Sequence, residues 1–344
     1  MDEQLVLAAV VNWNGWRDTL ICAQSLRAMS GPPFHLLLCD NGSSDESYDH
    51  LCEWARQALS GAPETQLDFE GAGSVLAIES DPGAASIFRG VYVMRLPRNY
   101  GYAGAINRCI SWGRERLDPD CFWLLNNDVW LEPAALKHLL AATTSASDIG
   151  LCGSVLLEWD DPHQIQAVGG LLRRVVATGS HLKQVPTGVP ADQNVFFDID
   201  YPVGASMLAT RGYLQAVGLM DEDYFLYYEE VDWAERGRAC GFRPAVALHS
   251  RLRHKEGAST GSVGGIRHKS LLSEYYGVVN RLRFTRKFSP RLVPVVWVSL
   301  FLVVLDRLVH HEWRRAGLVL RLMFLPRSVP RPGAPQPGAA RLIT

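Results

Sequence analysis

Two short polar segments carry the residue types best suited to chemistry. An apolar stretch ends in Asn126, Asn127 and Asp128, and carboxylates follow about a hundred residues later at positions 229, 230 and 232. A carboxylate at the end of a buried strand places a hard oxygen ligand at the carboxyl edge of a sheet, where open α/β sheets bind ligands. The first segment could hold a metal and a phosphate, and the second could supply a base. Together they indicate an enzyme that acts on an activated phosphate compound.

The surrounding elements alternate between strand and helix. Apolar runs of strand length occupy residues 5–11, 36–39, 91–96 and 122–125. Asp18 is placed to cap a first helix. This helix and a second helix each have one apolar face that is expected to be buried. The apolar positions of these two helices are Cys22, Leu26 and Met29, and Ala103, Ile106, Ile110 and Leu117. Repeated strand-helix-strand units predict a parallel sheet, with a loop or hairpin inserted at residues 60–90 and a mixed, β-rich part at residues 150–200.

The composition bounds the architecture and the compartment. A chain of 344 residues, with 47% hydrophobic and 20% charged residues, fits one α/β domain of roughly 250 residues plus an appendage. The seven cysteines are odd in number and never spaced Cys-x-x-Cys, which argues against a disulfide framework and a zinc site and favours a reducing cytosol. The acidic start at Met1 lacks the basic region of a signal peptide.

The C-terminal part of the chain is both basic and apolar. From Arg281 onward, twelve Lys and Arg against two acidic residues give +10, which leaves −12 for the rest. Residues 292–305 form an apolar run of fourteen, shorter than the ~20 residues needed to cross a bilayer. Its aromatic and basic continuation to residue 325 favours a helix lying on anionic lipid. Packing on the protein or at a dimer interface is the alternative, and nucleic-acid binding is a weaker third.

Five segments follow one another in an order that resembles a known family. They are residues 10–15, 39–45, 98–107, 126–128 and 225–233. In this order they resemble the inverting glycosyltransferases of family 2 with the GT-A fold, and within them the bacterial rhamnosyltransferase-like branch. The resemblance covers roughly residues 5–290. It implies a GT-A type, Rossmann-like mixed sheet flanked by helices in residues 1–275. Charge and composition predict a basic, amphipathic helical tail in residues 276–328 and a disordered Pro/Gly-rich end in residues 329–344.

The resemblance implies a donor-nucleotide site in which Asp40 contacts the pyrimidine. Asp40 can also serve as a turn former, because Asx residues favour turns. Gly101 and Gly104 would let the backbone approach a ligand near a helix N-terminus suited to phosphate, although glycines of this kind more often only form turns. The donor-site residues are Val11, Asn12, Asn14, Asp40, Arg98, Asn99, Gly101, Gly104, Asn107, Asn126 and Asn127.

The same resemblance implies a divalent cation. Residues 126–128 occupy the place of the family's Asp-x-Asp motif, but Asn126 replaces its first carboxylate and leaves Asp128 as the main protein carboxylate. A Mg²⁺ ion commonly uses only one or two carboxylates plus phosphates and water. His254, in the segment 253–259 that resembles the family's loop over the diphosphate, is the expected second ligand, with His249 as its competitor. Imidazole suits Mn²⁺ better than Mg²⁺, so manganese is favoured.

Glu230 is the candidate general base, at a position where the family usually has Asp, and Asp232 is the alternative. The first turn of a helix favours an ionised carboxylate, as a base requires at neutral pH. Asp232 could instead form a structural pair with Arg236 one helical turn away. The residues expected on the acceptor side are Gly204, Ala205, Glu229 and Trp233.

The resemblance implies a single displacement with inversion at the sugar carbon. The expected donor is dTDP-L-rhamnose, although the same motifs accompany UDP-hexoses. The expected acceptor is a lipid-linked saccharide of a cell-surface polysaccharide, such as an O-antigen, reached by a cytoplasmic protein at the inner face of the membrane. A homodimer stays open, and no nucleic-acid partner is expected. The alternatives are a nucleotidyltransferase and a non-catalytic sugar-binding subunit; a dehydrogenase is least favoured because no Gly-x-Gly-x-x-Gly follows the first strand.

Overall fold

A computed structural model describes residues 4–69, 73–81, 85–255 and 270–325. Most of the predicted histidine-containing loop, from residue 256 to 259, lies outside the described residues. The end of the predicted tail, residues 326–328, and the Pro/Gly-rich end, residues 329–344, also lie outside them.

The described residues form a mixed α/β fold. The strands are β1 (Val6–Asn12), β2 (Phe34–Asp40), β3 (Glu64–Phe69), β4 (Gly73–Glu79), β5 (Phe88–Arg95), β6 (Cys121–Asn126), β7 (Val129–Leu131), β8 (Ile149–Glu158), β9 (Ile165–Ala167), β10 (Gly169–Arg173), β11 (Thr178–Leu182), β12 (Val195–Phe196), β13 (Ser206–Thr210) and β14 (Arg243–His254). The helices are α1 (Trp16–Arg27), α2 (Ser47–Ala58), α3 (Gly101–Arg116), α4 (Ala135–Thr143), α5 (Arg211–Val217), α6 (Glu229–Ala239), α7 (Leu271–Phe288), α8 (Val293–Val309) and α9 (Trp313–Phe324).

One large sheet organises these elements. Its strand order is β12-β14-β8-β13-β6-β1-β2-β5-β4-β3, with β7 paired to β14 and β9 to β8, and β10 and β11 form a separate pair. Strands β5, β2, β1 and β6 are mutually parallel neighbours, whereas β13 runs antiparallel to both β6 and β8. The parallel half therefore gathers four carboxyl ends at one edge, as the alternating pattern predicts.

Side chains of β1 enter two hydrophobic cores, because successive strand residues point to opposite faces. Leu7 and Ala9 pack in the core that contains α3 and the C-terminal helices. Val6, Ala8 and Val10 pack in the other core, with α1, α2 and α4. Burial on both faces explains why this strand is a continuous apolar run.

The structure confirms the predicted fold class and corrects several details. Gly15, and not Asp18, is the N-cap residue of α1, and Asp18 lies inside the first turn. The inserted segment contains an antiparallel hairpin, β3 and β4, which pairs with β5 at the sheet edge. Helices α2 and α4 were not predicted from the sequence. The predicted boundary at residue 275 falls inside α7, which is continuous across it.

The C-terminal helices pack on the domain and leave one apolar face open. In α8, Val296, Leu300 and Val304 are buried. Larger apolar side chains on the other side of α8 and on α9 are exposed, namely Val295, Val298, Phe301, Leu302, Leu305, Val309, Trp313, Phe324 and Leu325. Among the described residues, one helical stretch, Pro290–Val309, is long and apolar enough to cross a membrane, with 20 residues and a mean hydropathy of 2.2. The helix is thus longer than the predicted run of fourteen, but its buried face shows that it packs against the protein.

A buried ion pair network joins helices α7, α8 and α9. Glu274 of α7 is 5% exposed, and its Oε1 lies 3.1 Å from Nε of Arg307 in α8. Its Oε2 lies 2.8 Å from Nη1 of Arg315 in α9. Glu312 also contacts Arg307, at 2.8 Å. The network places a charged contact on the protein-facing side of α8, opposite the exposed apolar face.

All seven cysteines are free thiols. Six are buried, and Cys240, at the C-terminal end of α6, is exposed.

We expect the substitution Glu274→Ala to lower the free energy of unfolding by about 3 kcal/mol, since removing one member of a buried ion pair leaves charge in a desolvated site. Urea denaturation measures this loss. Glu64→Ala is the matched control, because the Arg56–Glu64 pair is half exposed on both sides and should contribute less than about 1 kcal/mol. Equal losses in the two variants would contradict the role given to Glu274.

Candidate active site

The sheet register brings three strand ends together. Asn12 at the end of β1 pairs with Asp40 at the end of β2, and Val11 pairs with Asn126 at the end of β6. The residues that follow these strands therefore lie at one edge of the sheet. Three of the residues predicted for the donor site, Asn12, Asp40 and Asn126, thus lie at this edge.

Asn12 ties the first two loops together. Its Nδ2 donates to Asp40 Oδ1 at 3.0 Å and to Ser43 Oγ at 3.2 Å, and its Oδ1 accepts from Thr19 at 2.8 Å. Asn14 has a positive φ of 52°, and its Oδ1 accepts from the backbone amide of Ser44 at 2.8 Å. A short polar residue tolerates this left-handed conformation better than a bulky one. The two asparagines thus shape the loops that flank Asp40.

Asp40 is buried, with 2% of its surface exposed. Burial raises the pKa of its carboxyl, and hydrogen bonds from Ser43 and Asn12 oppose this shift. The carboxyl lines a cavity of about 470 Å³. The cavity is lined by Asp40, Gly42, Ser43, Asp68, Gly73, Ser74, Arg95, Leu96 and Pro97. Several of these residues belong to the β3–β4 hairpin, to which the sequence alone assigned no chemistry.

Asn41 fixes the turn before α3. Its Nδ2 donates to Asn99 Oδ1 at 3.0 Å, and its Oδ1 accepts from Tyr100 N at 3.0 Å. The Arg98 guanidinium lies over the Tyr100 ring, 4.7 Å from the ring centroid. Gly101 has a φ of 75°, and an added Cβ would lie 2.4 Å from the carbonyl oxygen of Phe225. The close approach that requires this glycine is therefore made by the protein's own backbone.

The next two predicted donor residues on α3 also contact protein. An added Cβ at Gly104 would lie 2.8 Å from Tyr100 Cβ. The side chain of Asn107 is buried. It donates to the backbone carbonyl of Met220 at 2.9 Å and accepts from the backbone amide of Met220 at 3.0 Å. Asn107 thus holds the loop that precedes the acidic segment.

The segment after β6 is anchored on both sides. Asn127 is buried, and its Nδ2 donates to Gly15 O at 3.2 Å and Thr19 Oγ1 at 3.0 Å. The backbone amide of Asn126, whose side chain is half-buried, donates to Ala205 O at 3.1 Å. These contacts connect the first strand's loop with the predicted acceptor side.

Asp128 and His254 lie next to each other. Strands β7 and β14 pair in a register that opposes Val129 to His254. His254 Nε2 lies 3.3 Å from Asp128 Oδ1, and its Nδ1 lies 2.8 Å from Gln166 Oε1. Gln166 thereby orients the ring, as residues behind metal-binding histidines commonly do. No sequence signal singled out Gln166, because it is about 90 residues away from His254 in the chain.

The donor set of Asp128 and His254 fits a divalent cation of the Mn²⁺ type. One carboxylate and one imidazole suit such an ion when phosphates and water complete its coordination. Their separation of 3.3 Å is compatible with adjacent ligands that each lie about 2.1 Å from one ion. In the described parts of the chain, no group of three or more His, Cys, Asp or Glu side chains could hold a metal ion by itself. A cation here would therefore depend on the substrate for further ligands.

His249, the competing histidine, lies elsewhere. Its Nε2 contacts Ala191 O at 2.9 Å, and its ring packs against that of His138. The geometry therefore favours His254 for the cation site.

Glu229 and Glu230 begin α6 directly after two residues with positive φ, Tyr227 at 67° and Tyr228 at 75°. Glu229 is buried, and burial followed by the charge of Glu230 raises its pKa well above the usual value. Glu230 is half-buried, and desolvation raises its pKa to about 7. A general base works best when its pKa lies near the operating pH.

Tyr102 of α3 interacts electrostatically with this carboxyl pair and contacts the segment that precedes β13. Burial and the nearby charges of Glu229 and Glu230 raise the pKa of its hydroxyl. The same hydroxyl donates to Gly204 O at 3.0 Å, and Ala205 O accepts from the amide of Asn126. Tyr102 was not among the predicted site residues, although it lies inside the glycine-containing motif.

Asp232 lies on the opposite side of α6 and is fully buried. Its Oδ1 accepts from Arg236 Nε at 2.8 Å, and its Oδ2 lies 2.6 Å from Lys287 Nζ on α7. The pair with Arg236 is the structural alternative that the spacing of one helical turn predicts. Both carboxylate oxygens face cations of the protein, which makes Asp232 an anchor between α6 and α7.

The assignment of Trp233 to the acceptor side is wrong. The residue has no exposed surface, its Nε1 donates to Gly218 O at 2.9 Å, and its ring packs edge-on against Tyr213. An aromatic residue beside an acidic motif suits either a sugar platform or a core position. The helical position of Trp233, on the face turned towards α5, decides for the core.

Comparisons with known proteins agree with this architecture. Residues 83–192 match the family described as Glycosyl transferase family 2. The hexosyltransferase Agl10 of low-salt glycan biosynthesis in Haloferax volcanii is 21% identical over 141 residues, which cover 41% of this chain and 44% of that protein. The chain thus spans less than half the length of this relative.

A solved structure shows the same fold. GalNAc-T7, crystallised with UDP, GalNAc and Mn²⁺, superposes with a TM-score of 0.55 at 13% identity, covering 86% of this chain and 49% of that one. TarS of S. aureus superposes with a TM-score of 0.49 at 10% identity, covering 82% and 39%. Residues 83–192 therefore resemble the glycosyltransferases of family 2, and the described residues adopt a mixed α/β fold of the GT-A type.

Proposed function

We propose that the protein is an inverting glycosyltransferase that moves a sugar from a nucleotide-diphosphate donor to a hydroxyl group of a saccharide. The observation that carries this proposal is the desolvated carboxyl of Glu230, whose pKa of about 7 suits a general base. Burial and the charges of Glu229 and Glu230 raise the pKa of the Tyr102 hydroxyl, which donates to Gly204 O, and the neighbouring Ala205 O accepts from the amide of Asn126 at the end of β6.

In the proposed reaction, ionised Glu230 accepts the proton of the acceptor hydroxyl. The hydroxyl oxygen forms a bond to the anomeric carbon, and the bond from that carbon to the diphosphate oxygen breaks. The electron pair leaves with the diphosphate, and the configuration at the carbon inverts. The ion pairs of both Asp232 oxygens with Arg236 and Lys287 support Glu230 over Asp232 as the base.

The donor nucleotide is proposed to occupy the cavity beside Asp40. One carboxylate oxygen of Asp40 would accept the imide N–H of a pyrimidine, while Asn12 and Ser43 hold the carboxyl in place. Arg95 lines the same cavity and lowers the pKa of Asp40 against the effect of burial, so it favours the ionised acceptor.

Asp128 and His254 would hold a divalent cation, Mn²⁺ or Mg²⁺, with Gln166 orienting the imidazole. When bound there, the cation would neutralise the charge that develops on the diphosphate leaving group. Lys255, which follows His254, pairs with Asp18 and lies over the ring of Trp159, 4.5 Å from its centroid. These contacts hold the end of β14 against α1.

The finer identity of the substrates is also a proposal. The motifs favour dTDP-L-rhamnose as donor, and the name of the Haloferax volcanii relative supports a hexose more generally. The acceptor is proposed to be a lipid-linked saccharide of a cell-surface polysaccharide. The protein would then act on the cytoplasmic side of the membrane as a peripheral protein.

The open face of α8 and α9 supports this location. Val298, Leu302 and Leu305 are each more than half exposed on α8. Exposed basic residues, Arg291 and Arg314, stand near the two ends of that helix and complement anionic headgroups. The buried ion pair network on the other side of α8 favours a helix lying in the interface over one that crosses the bilayer. A homodimer through the same face is the competing arrangement.

We expect Glu230→Gln to lower kcat by at least about 1,000-fold, because the amide cannot accept the acceptor proton. In the wild-type protein, kcat/KM should rise with pH through about 7, as Glu230 loses its proton. Nucleotide release from dTDP-rhamnose and UDP-hexoses in the presence of candidate acceptors measures both quantities. Glu53→Gln, which changes an exposed carboxylate of α2 whose side chain contacts Gln57 of the same helix, serves as the control and should retain activity. An unaffected Glu230→Gln variant would contradict the mechanism.

We expect Mn²⁺ together with the correct donor to raise the melting temperature, since ligand at about 100 times its dissociation constant adds about 2.7 kcal/mol of stability. Asp128→Asn and His254→Ala should abolish the part of this stabilisation that EDTA also removes. Differential scanning fluorimetry against a panel of nucleotide sugars measures the effect. His249→Ala should behave like the wild-type protein, and a loss confined to this variant would reassign the cation ligand.

We expect Leu302→Glu to weaken binding to vesicles of phosphatidylcholine and phosphatidylglycerol about tenfold or more, because a charge would replace a side chain buried among lipids. Co-sedimentation measures binding, and pure phosphatidylcholine vesicles should bind less. Val175→Glu is the control, since Val175 is 59% exposed in the turn between β10 and β11. A dimer that Leu302→Glu dissociates, without any vesicle binding by the wild type, would establish the dimer interface instead.

A further inference from the structure

The turn before Glu229 has an unusual conformation. Tyr227 and Tyr228 are consecutive residues with positive φ, at 67° and 75°. Such a conformation costs roughly 1–2 kcal/mol for each residue other than glycine, so surrounding contacts must hold it. The carbonyl of Tyr228 accepts the amide of Asp232 at 2.8 Å, which is the first hydrogen bond of α6. The direction of this turn therefore sets where the first turn of α6, with Glu230, lies.

One side chain of α7 forms two hydrogen bonds with this turn. The Nδ2 group of Asn280 donates to the carbonyl of Leu226 at 2.8 Å and to that of Tyr227 at 3.0 Å. Asn280 is 1% exposed, so water does not compete for these carbonyls. Two hydrogen bonds from one amide group fix two successive peptide units. That is the constraint a left-handed turn of bulky residues requires.

Asn280 has a further property that core packing does not explain. Its Oδ1 is buried without a hydrogen-bond partner among the described residues. A buried unsatisfied oxygen costs about 1–3 kcal/mol, which an apolar side chain at the same place would avoid. An asparagine at this position is therefore explained by its N–H groups, which hydrogen-bond to the carbonyls of the turn.

Further contacts hold the turn and helix α7 in place. The Tyr227 hydroxyl lies 2.9 Å from Ser273 Oγ on α7, and the Tyr228 hydroxyl donates to Ala177 O at 2.6 Å. On α7 itself, Lys287 lies 2.6 Å from Asp232 Oδ2. Asn280 thus stands between two other connections from α7 to the acidic segment.

The geometry points to Asn280 as a positioning residue, which fixes the left-handed turn at Tyr227 and Tyr228 and through it the place of the Glu230 carboxyl. This inference rests on the proposed role of Glu230 as the base. It also gives α7, most of which was predicted to belong to a membrane or dimer tail, a part in the active site.

The test measures the pKa of Glu230 directly, by ¹³C NMR of the side-chain carboxyl in glutamate-labelled protein, with the signal assigned through Glu230→Gln. The titratable groups that interact with Glu230 are Glu229, Tyr102, Tyr201 and Tyr228. In Asn280→Ala the turn should relax and admit water, so the pKa of Glu230 should fall from about 7 towards the ordinary value of 4.5. With an active donor, kcat should fall about 100-fold, as expected for a displaced catalytic group.

Asn194→Ala is the matched control. The side chain of Asn194 also bridges backbone groups, donating to His138 O at 2.9 Å and accepting from His249 N at 3.1 Å. This variant should lose a similar amount of stability and leave the pKa of Glu230 unchanged. If Asn280→Ala lowers the melting temperature as Asn194→Ala does and leaves the pKa of Glu230 unchanged, the inference is overturned.

If Asn280→Ala does not fold, Tyr227→Phe provides the second variant, because it removes only the hydroxyl contact with Ser273. A smaller shift of the pKa of Glu230 in the same direction is expected, and no shift overturns the inference. The pKa measurement needs no turnover. A wild-type protein that transfers no sugar but shows the shift in Asn280→Ala would therefore refute the proposed function and retain the positioning role.

Discussion

Two adjacent carboxyl groups, Glu229 and Glu230, must be kept largely out of water at the start of α6 while one of them stays within reach of a substrate. Desolvation opposes ionisation of both, and the charge of one further opposes that of its neighbour. Their surroundings come from distant parts of the chain, including Tyr102 on α3 and Tyr201 before β13. The helices and the sheet must therefore be assembled before these carboxyl groups acquire their properties.

The edge of the sheet where the parallel strands end could be predicted from the sequence, because the patterns that define it are local. Buried parallel strands are continuous apolar runs, and the polar residues that end them, Asn12, Asp40 and Asn126, line up in register at one edge. The neighbourhood of Asp128 and His254 followed from family motifs, and the distance of 3.3 Å between them agrees with it. The position of a residue could thus be predicted where that position depends on its own element.

Contacts between segments that are distant in the chain could not be predicted from the sequence. Asp232 carries the same acidic signal as Glu230, and only the positions of Arg236 and Lys287 distinguish an anchor from a base. Trp233 was misassigned because burial depends on what packs against a helix face. Gln166, Tyr102 and Asn280 act through partners between about 50 and 130 residues away, so spacing along the chain does not reveal them.

The distribution of thiols makes α6 open to spectroscopic observation. Cys240 is exposed at the C-terminal end of this helix, and the other six cysteines are buried, four of them with thiol pKa values raised by burial. Because the thiolate is the reactive form, a maleimide dye added to the native protein should attach at Cys240 in preference to the others. The dye would stand about 15 Å along the helix from Glu230, given a rise of about 1.5 Å per residue. Unmodified, the chain thus carries a labelling site from which movements of its acidic segment could be followed by fluorescence.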